Sequence, residues 1–407
     1  MQFGELADYF EGVGAKRLSS HEVDPKVSRG HEFQGVDAFR QFIGTPKGKQ
    51  RIPVTYIWLN DEEPVVVVSE GTWYDSRAKQ PHRAAEYRLY YLRPAEEVVH
   101  KAKDGDTLFL AKVRDGRILA IVCPQGSASE TQLSWLLGVA PDSDEVEPVA
   151  LKRGESKGLS FFASFILERI GLTAAEPEPE HELRDLVLRR FKGGFPRTAQ
   201  LSELARELAQ NVATSADEQL IAWLEMEERL FRALEKHIVG KELRLGFLTE
   251  TGEPDVDRFV SFSLSVQNRR KSRAGLAFEN HLKAIFETRN LSFSTQSFTE
   301  GRKRPDFLFP GGEAYHNAAH PTERLTMLGA KSTCKERWRQ VLSEADRIPQ
   351  KHLATLEPGI SIHQLDEMGA ALLSLVVPTP IQETYPEAGR HRLVSIETFI
   401  DLVRERA

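Results

Sequence analysis

Cysteine is nearly missing from this chain. Cys123 and Cys334 are the two in 407 residues, and neither belongs to a CxxC pair. A disulfide framework or a cysteine-ligated zinc site is therefore not expected, and the expected setting is a reducing cytoplasm. No window of eighteen apolar residues occurs, so no membrane span is expected. The N-terminal MQFGELADYFEG lacks a basic start and an apolar stretch, which argues against a secretory signal there. Surplus positive charge is absent too: 54 Lys and Arg face 60 Asp and Glu, a formal net charge of -6. That balance argues only weakly against a nucleic-acid partner, because a binding face needs local rather than total positive charge. No internal repeat is evident, and the length suits two or three domains.

The first 150 residues read mostly as strands. YIWL (56–59) and VVVV (65–68) flank the polar NDEEP like a hairpin. EYRLYYL (86–92) alternates, and TLFLAKV (107–113) is joined to ILAIVC (118–123) through an Asp-Gly turn. Helices are expected over Gly35 to Phe42 and after Gly126, where Ser129 as N-cap and Gln132 would form a capping box. The pattern suggests a barrel-like all-β domain over roughly residues 10 to 150. Lys16, Arg17, Lys47, Lys49, Arg51, Arg77, Lys79, His82, Arg83 and Arg88 decorate it. Gly71 to Arg77, between strands, mixes aromatic with basic groups. These residues suit either a nucleic-acid surface or an ordinary solvated loop face.

FFASFILERI (161–170) reads as a helix, and the acidic, proline-rich AAEPEPEHEL (174–183) as a linker. From Glu180 to Ile238 the apolar spacing is helical, with Leu220, Trp223, Leu224, Leu230 and Leu234 on one face. That face suits core or a partner surface better than a cofactor box. From Ser261 onward the pattern becomes helix, strand, strand, helix, strand. SRAGLAFENHLKAIFETRN and CKERWRQVLSEADRI are the expected helices. LSFSTQSF (291–298), PDFLFP (305–310), ERLTMLGAK (323–331) and ALLSLVVP (371–378) are the expected strands, with a strand-plus-helix unit in ISIHQLDEMG. A mixed sheet flanked by helices makes this part α/β.

One stretch carries chemistry. Asp306 follows Pro305 at the mouth of Phe307-Leu308-Phe309, Lys331 ends the apolar run Leu325 to Ala330, and Glu344 comes thirteen residues after the lysine. A divalent magnesium ion needs one or two carboxylates besides the scissile phosphate and water, so Asp306 and Glu344 are candidate metal ligands. Lys331 can serve the attacking water and charge growing on phosphorus. The residue two before Lys331 is Gly329, so the simple acid-x-lysine spacing is absent. Glu344, on the following helix, can supply the second acid, and Glu279 is a further carboxylate for this site. Ordinary salt bridges on an α/β domain are the competing reading. Lys335, Glu336 and Arg337 form a donor-acceptor-donor block suited to G·C edges, with Arg339 nearby for base or phosphate. The run Arg269, Arg270, Lys271 and Arg273 suits the DNA backbone, or is a solvated charge run before a helix.

Pro305-Asp306, Lys331 and Glu344, with the longer blocks KRPDFLFPG, ERLTMLGAKSTCKERWRQVLSEADRIPQKHLATLEPGIS and SLVVP, resemble the EcoRII-type restriction endonucleases. These are type IIE enzymes of the PD-(D/E)xK fold in which the second acid has moved to the following helix. The resemblance is most specific over about residues 260 to 400. It implies a restriction-endonuclease-like α/β domain that dimerises and cleaves double-stranded DNA with Mg2+. Asp306 and Glu344 would hold the ion, Lys331 would serve the water, and Tyr315 would be an active-site neighbour. Lys335, Glu336 and Arg337 would read outer G·C pairs of a short C/G-rich palindrome, CCWGG in type, leaving 5′-phosphate ends. A cognate DNA methyltransferase is implied as a partner in the same system.

More loosely, KRLS (16–19), Gly30-His31 and EYRLYY (86–91) resemble that family's effector domain, a β-rich pseudobarrel similar to plant B3 domains. That implies effector DNA, a second copy of the target, at Lys16, Arg17, His31, Arg77, Lys79, Arg83 and Arg88. It also implies a domain able to occlude the cleft until effector binds. The expected layout is an effector domain over 1–173, a linker over 174–183 and a catalytic domain with a helical N-terminal part over 184–407. A non-cleaving DNA-binding regulator, or a repair or modification-dependent nuclease with the same core, would share most of these features.

Overall fold

A computed structural model describes residues 5–406 apart from 25, 29, 35–38, 62–63, 81, 140, 142–148, 152–160, 173–180, 193, 210–214 and 335–336. The chain divides into two compact units. One is Met1–Glu176 with Pro358–His363 and Thr384–Pro386; the other is Pro177–Glu357, Gln364–Glu383 and Glu387–Ala407.

The first unit is built on strands β1 (Phe10–Arg17), β2 (Glu32–Phe33), β3 (Gln50–Trp58), β4 (Val65–Asp75), β5 (Tyr87–Tyr91), β6 (Thr107–Val113), β7 (Ile118–Cys123) and β8 (Val149–Ala150). They form one eight-stranded sheet in the order β2-β5-β4-β3-β7-β6-β1-β8. β3 and β7 run parallel, while β3–β4 and β6–β7 are antiparallel hairpins. Phe33, Phe39, Tyr56, Trp73, Leu89 and Leu110 lie in its core.

β1 was not expected, and the reason is steric. A Cβ at Gly14 would fall 2.4 Å from the Phe39 ring, and one at Gly12 would fall 2.3 Å from Phe42. Two glycines weaken the strand signal of FEGVGAKR but let both phenylalanines lie on it. Residues 71–75, expected between strands, instead continue β4, with Gly71 packed under Leu89 and Val54. The helix after Gly126, α1 (Ala128–Leu137), is capped by Ser127 rather than Ser129: the Ser127 hydroxyl accepts from Glu130 N at 3.1 Å. Ser127-Glu130 and Ser129-Gln132 fit the same capping pattern, and tertiary contacts choose between them. The Glu130 carboxylate takes Gly126 N–H at 2.6 Å, and Ser129 Oγ donates to Asn60 O at 2.8 Å. Helix α2 (Phe161–Arg169) completes this unit.

The second unit begins with helices α3 (His181–Arg190), α4 (Thr198–Leu208), α5 (Ala216–Leu245) and α6 (Val256–Thr288). Ser215 caps α5 through Glu218 N and Asp255 caps α6 through Arg258 N. Both long helices exceed expectation. α6 starts well before Ser272, so the run Arg269–Arg273 lies within a helix rather than before one. Leu245, Val256, Val260 and Leu264, around the joined ends of α5 and α6, are exposed.

The sheet of this unit has the order β13-β12-β11-β10-β9, from β9 (Ser294–Thr295), β10 (Phe307–Phe309), β11 (Thr326–Lys331), β12 (Lys351–Thr355) and β13 (Leu373–Val376). β9, β10 and β11 are antiparallel; β11, β12 and β13 are parallel. β12 was missed because KHLAT opens with two polar residues, yet Lys351 and His352 are both buried. LSFSTQSF contributes only Ser294 and Thr295 to the sheet, since Gln296 turns into the left-handed region. Helices α7 (Trp338–Leu342), α8 (Ile362–Ala370) and α9 (Ile396–Arg406) follow. Phe286 of α6 meets Phe307 and Phe309 of β10 edge-on, at 5.2 and 5.3 Å between ring centroids, and so locks that helix to the sheet.

Candidate active site

Phe307 pairs with Leu328 across the β10–β11 ladder, which sets Asp306 beside the end of β11. The Asp306 carboxylate is nearly buried, and its Oδ2 accepts from Ala330 N at 2.7 Å and from Lys331 Nζ at 2.8 Å. Its Oδ1 accepts from Gln296 Nε2 at 2.9 Å. Asp306 and Lys331 therefore lie on one rim of the sheet as an ion pair.

Glu344 reaches this rim by a different route from the one its spacing suggested. The expected long helix from Cys334 to Ile348 is cut to the five residues of α7, and Glu344 sits in the turn just beyond it. There its N–H bonds Val341 O at 3.0 Å, and the next residue, Ala345, has φ 50°. Buried Lys351 holds the turn by donating to the carbonyls of Glu344 and Ala345, each at 2.6 Å. Residues 329 and 331 share a face of β11 because strand side chains alternate. A Cβ on Gly329 would come within 3.0 Å of Val341. Glycine at the position where the simple motif would carry its acid thus lets α7 close onto the strand, and α7 delivers Glu344.

Glu279 extends from the stretch of α6 whose Phe278, Leu282, Ile285 and Phe286 are buried. Burial, and then the charge of Asp306, raise both Glu279 and Glu344 to about 7, against the opposing pull of Lys331. Both acids are therefore close enough to Asp306 and Lys331 to share their field. Near neutral pH each can exchange a proton, as catalytic carboxyls in low-dielectric clefts do.

The other expected residues make contacts of their own. Tyr315 is buried, donates to Glu300 Oε1 at 2.7 Å and accepts Arg347 N–H at 3.2 Å, so it braces neighbouring loops. Lys335 and Glu336 lie outside the described residues. Arg337 is exposed, while Arg339 lies over Trp338 and bonds Glu367 at 3.3 Å. In the basic run, Lys271 is exposed and Arg269 stacks on Phe195 at 4.1 Å. Arg270 pairs with Glu235 at 2.7 Å, and Arg273 is buried between Glu227 and Glu228 over the Phe231 ring. Arg270 and Arg273 are turned onto α5, and Lys271 outward, because helical periodicity separates inside from outside, which a run of like charge conceals.

In the first unit most of the basic candidates already have carboxylate partners. Lys16 pairs with Glu22 at 2.7 Å, Arg17 with Glu130, Arg77 with Glu86 at 2.7 Å, and Arg88 with Glu32 and Glu86. His31 stands 3.4 Å from Glu96 and lines a cavity of about 180 Å³ with Glu22, Tyr91 and His100. Lys79 and Arg83 are exposed. Gln296 and Lys351, which hold Asp306 and the Glu344 turn, carried no signal in the sequence, since neither belongs to a charged cluster or a motif.

The donor set fits a divalent ion. Glu344 Oε2 is buried with no hydrogen-bond partner among the described residues, an arrangement that costs free energy unless a cation or donor meets it. No three acidic, His or Cys side chains among the described residues stand close enough to form a closed cage. Magnesium suits such an open set, because it keeps waters and takes ligands from a bound phosphate. Among the described residues no helix is long and apolar enough to cross a membrane.

Residues 231–400 match the family model described as EcoRII C terminal. The chain is 42% identical over 207 residues to the type II restriction enzyme EcoRII of Escherichia coli, covering 51% of this chain and 50% of that enzyme. It is 29% identical over 155 residues to the type II restriction enzyme SsoII of Shigella sonnei, covering 35% of this chain and 49% of that enzyme. The chain thus spans about half the length of these relatives. A structure described as metal-depleted Ecl18kI in complex with uncleaved, modified DNA aligns with a TM-score of 0.44 at 20% identity, over 55% of this chain and 83% of that one. Asp306, Lys331, Glu344 and Glu279 all fall within the matched segment. Residues 231–400 are thus similar to the EcoRII C-terminal family model, and over about half its length the chain is similar to type II restriction enzymes.

Proposed function

We propose that this protein is a type IIE-like restriction endonuclease that hydrolyses double-stranded DNA at a short C/G-rich palindrome, CCWGG in type, leaving 5′-phosphate ends. The observation that carries the reading is the Asp306–Lys331 pair beside the unpartnered buried oxygen of Glu344. Asp306 and Glu344 would hold Mg2+, which when bound supplies Lewis acidity at the scissile phosphate. Lys331, 2.8 Å from Asp306, keeps its ammonium at the rim, where it can hold an attacking water and donate to developing negative charge. Glu279, raised to about 7, can take a proton from that water and pass it to solvent.

A palindromic target favours a two-fold homodimer, and the exposed Leu245, Val256, Val260 and Leu264 form a surface such a pairing can bury. Lys335, Glu336 and Arg337 are assigned the outer G·C pairs. The first unit is assigned effector DNA, with exposed Lys79 and Arg83 the side chains best placed to meet phosphate. A cognate methyltransferase and a cytoplasmic location complete the reading. Incubating unmodified and methylated DNA with the protein and Mg2+, then sequencing the ends, tests it. Cleavage at one palindrome that Lys331→Ala abolishes, with DNA binding retained, is the expected result. Binding without cleavage by the unaltered protein would show a regulator instead, and cutting only of modified or damaged DNA would show a different nuclease.

A further inference from the structure

Gln296 holds a backbone conformation that glutamine avoids. Its φ is 52°, in the left-handed region, where a residue with a Cβ is strained. Such strain persists where surrounding structure requires it and gathers at functional sites. Here its consequence is visible. The turn ends β9 after Thr295, brings Gln296 N–H to Asp306 O at 3.3 Å, and aims the side-chain amide at Asp306 Oδ1 at 2.9 Å.

The two carboxylate oxygens of Asp306 are not equivalent. An ionised carboxylate offers about four lone-pair positions, two on each oxygen. On Oδ2 both are taken, by Ala330 N–H at 2.7 Å and Lys331 Nζ at 2.8 Å. On Oδ1 one is taken, by Gln296. Donors at opposite ends of the carboxylate fix its plane; without Gln296, both remaining donors, Ala330 N–H and the Lys331 ammonium, hold Oδ2, and Oδ1 has none to set its direction.

We propose that Gln296 is a positioning residue which fixes the plane of the Asp306 carboxylate so that Oδ1 receives the divalent cation shared with Glu344. This rests on the nuclease reading of the site and extends it: the receiving oxygen is Oδ1, and its direction is set by a neutral amide that adds no charge to compete with the ion. A carboxylate or ammonium in its place would change the field of the site as well as its geometry.

The test is a Mn2+ titration of the full-length protein at pH 8, read by electron paramagnetic resonance, with Gln296→Ala, Gln296→Gly and Asp306→Asn as variants. Glycine accepts φ 52° without strain, so Gln296→Gly removes the amide while preserving the turn. The expected result is a half-saturating Mn2+ concentration raised about tenfold in both Gln296 variants, the effect of losing one hydrogen bond to a charged group. Asp306→Asn should abolish the binding. If Gln296→Gly binds Mn2+ like the unaltered protein, the amide has no positioning role and the inference is wrong, whatever Gln296→Ala does to folding. If Asp306→Asn leaves Mn2+ binding unchanged, or the unaltered protein binds none, the metal-site reading fails together with the inference.

Discussion

Glu344→Gln should stabilise this protein while destroying its activity. Burial and the neighbouring Asp306 raise the Glu344 carboxyl from 4.5 to about 7. The folded-state value lies above the unfolded one, so its contribution is wholly favourable below about pH 4.5 and is lost as pH rises through about 7. Fully realised, such a shift corresponds to about 3 kcal/mol. Partial exposure of the group screens it, so about 1–2 kcal/mol is the working figure. At about 2–4 °C per kcal/mol, the gain in melting temperature is about 2–8 °C. Glutamine keeps the shape and removes the charge. Calorimetry in chelator should show that gain at pH 8 and almost none at pH 5. Cleavage with Mg2+ should fall by at least about a hundredfold, as expected when a group acting at the reaction centre is removed. An unchanged or lower melting temperature at pH 8 would refute the electrostatic picture of the cleft, and retained cleavage would remove Glu344 from the mechanism.

Arg273→Met should lower stability by about 1–3 kcal/mol, because it takes a buried hydrogen-bonded cation from Glu227 and Glu228 and leaves them only His281 and Arg232. If denaturant unfolding is instead unchanged and only DNA affinity falls, Arg273 is a phosphate contact after all. Lys351→Met should cost about 1–3 kcal/mol through the carbonyls of Glu344 and Ala345 that it leaves unpaired. It should also slow cleavage with little change in DNA affinity, since the turn carrying Glu344 loses its anchor; a variant that binds DNA poorly but turns over normally would contradict that.

Much of the architecture was legible because it follows short-range rules. Alternating apolar runs and an Asp-Gly turn marked β3 to β7, and the helical spacing of Leu220 to Leu234 marked α5. What escaped was set by packing. β1 carries glycines because Phe39 and Phe42 lie on it, and β12 opens with a lysine and a histidine that the fold buries. The basic run of α6 looked like one patch, yet Arg270 and Arg273 turn inward to carboxylates on α5. Basic side chains of the first unit were likewise matched by acids distant in sequence: Glu130 lies 113 positions from its partner Arg17.

The order of residues by itself determined which groups are available for chemistry: an acid after a proline, a lysine closing an apolar strand, a glutamate thirteen further on. Only the tertiary structure decided how they meet. Gly329 lets α7 close down, the helix stops after five residues, and Lys351 fixes the turn that carries Glu344. Gln296 joins from a segment with no local signal, and Glu279, expected from the sequence, gains its raised proton affinity from the fold, because a carboxylate's partners and its proton affinity depend on distance and burial in space.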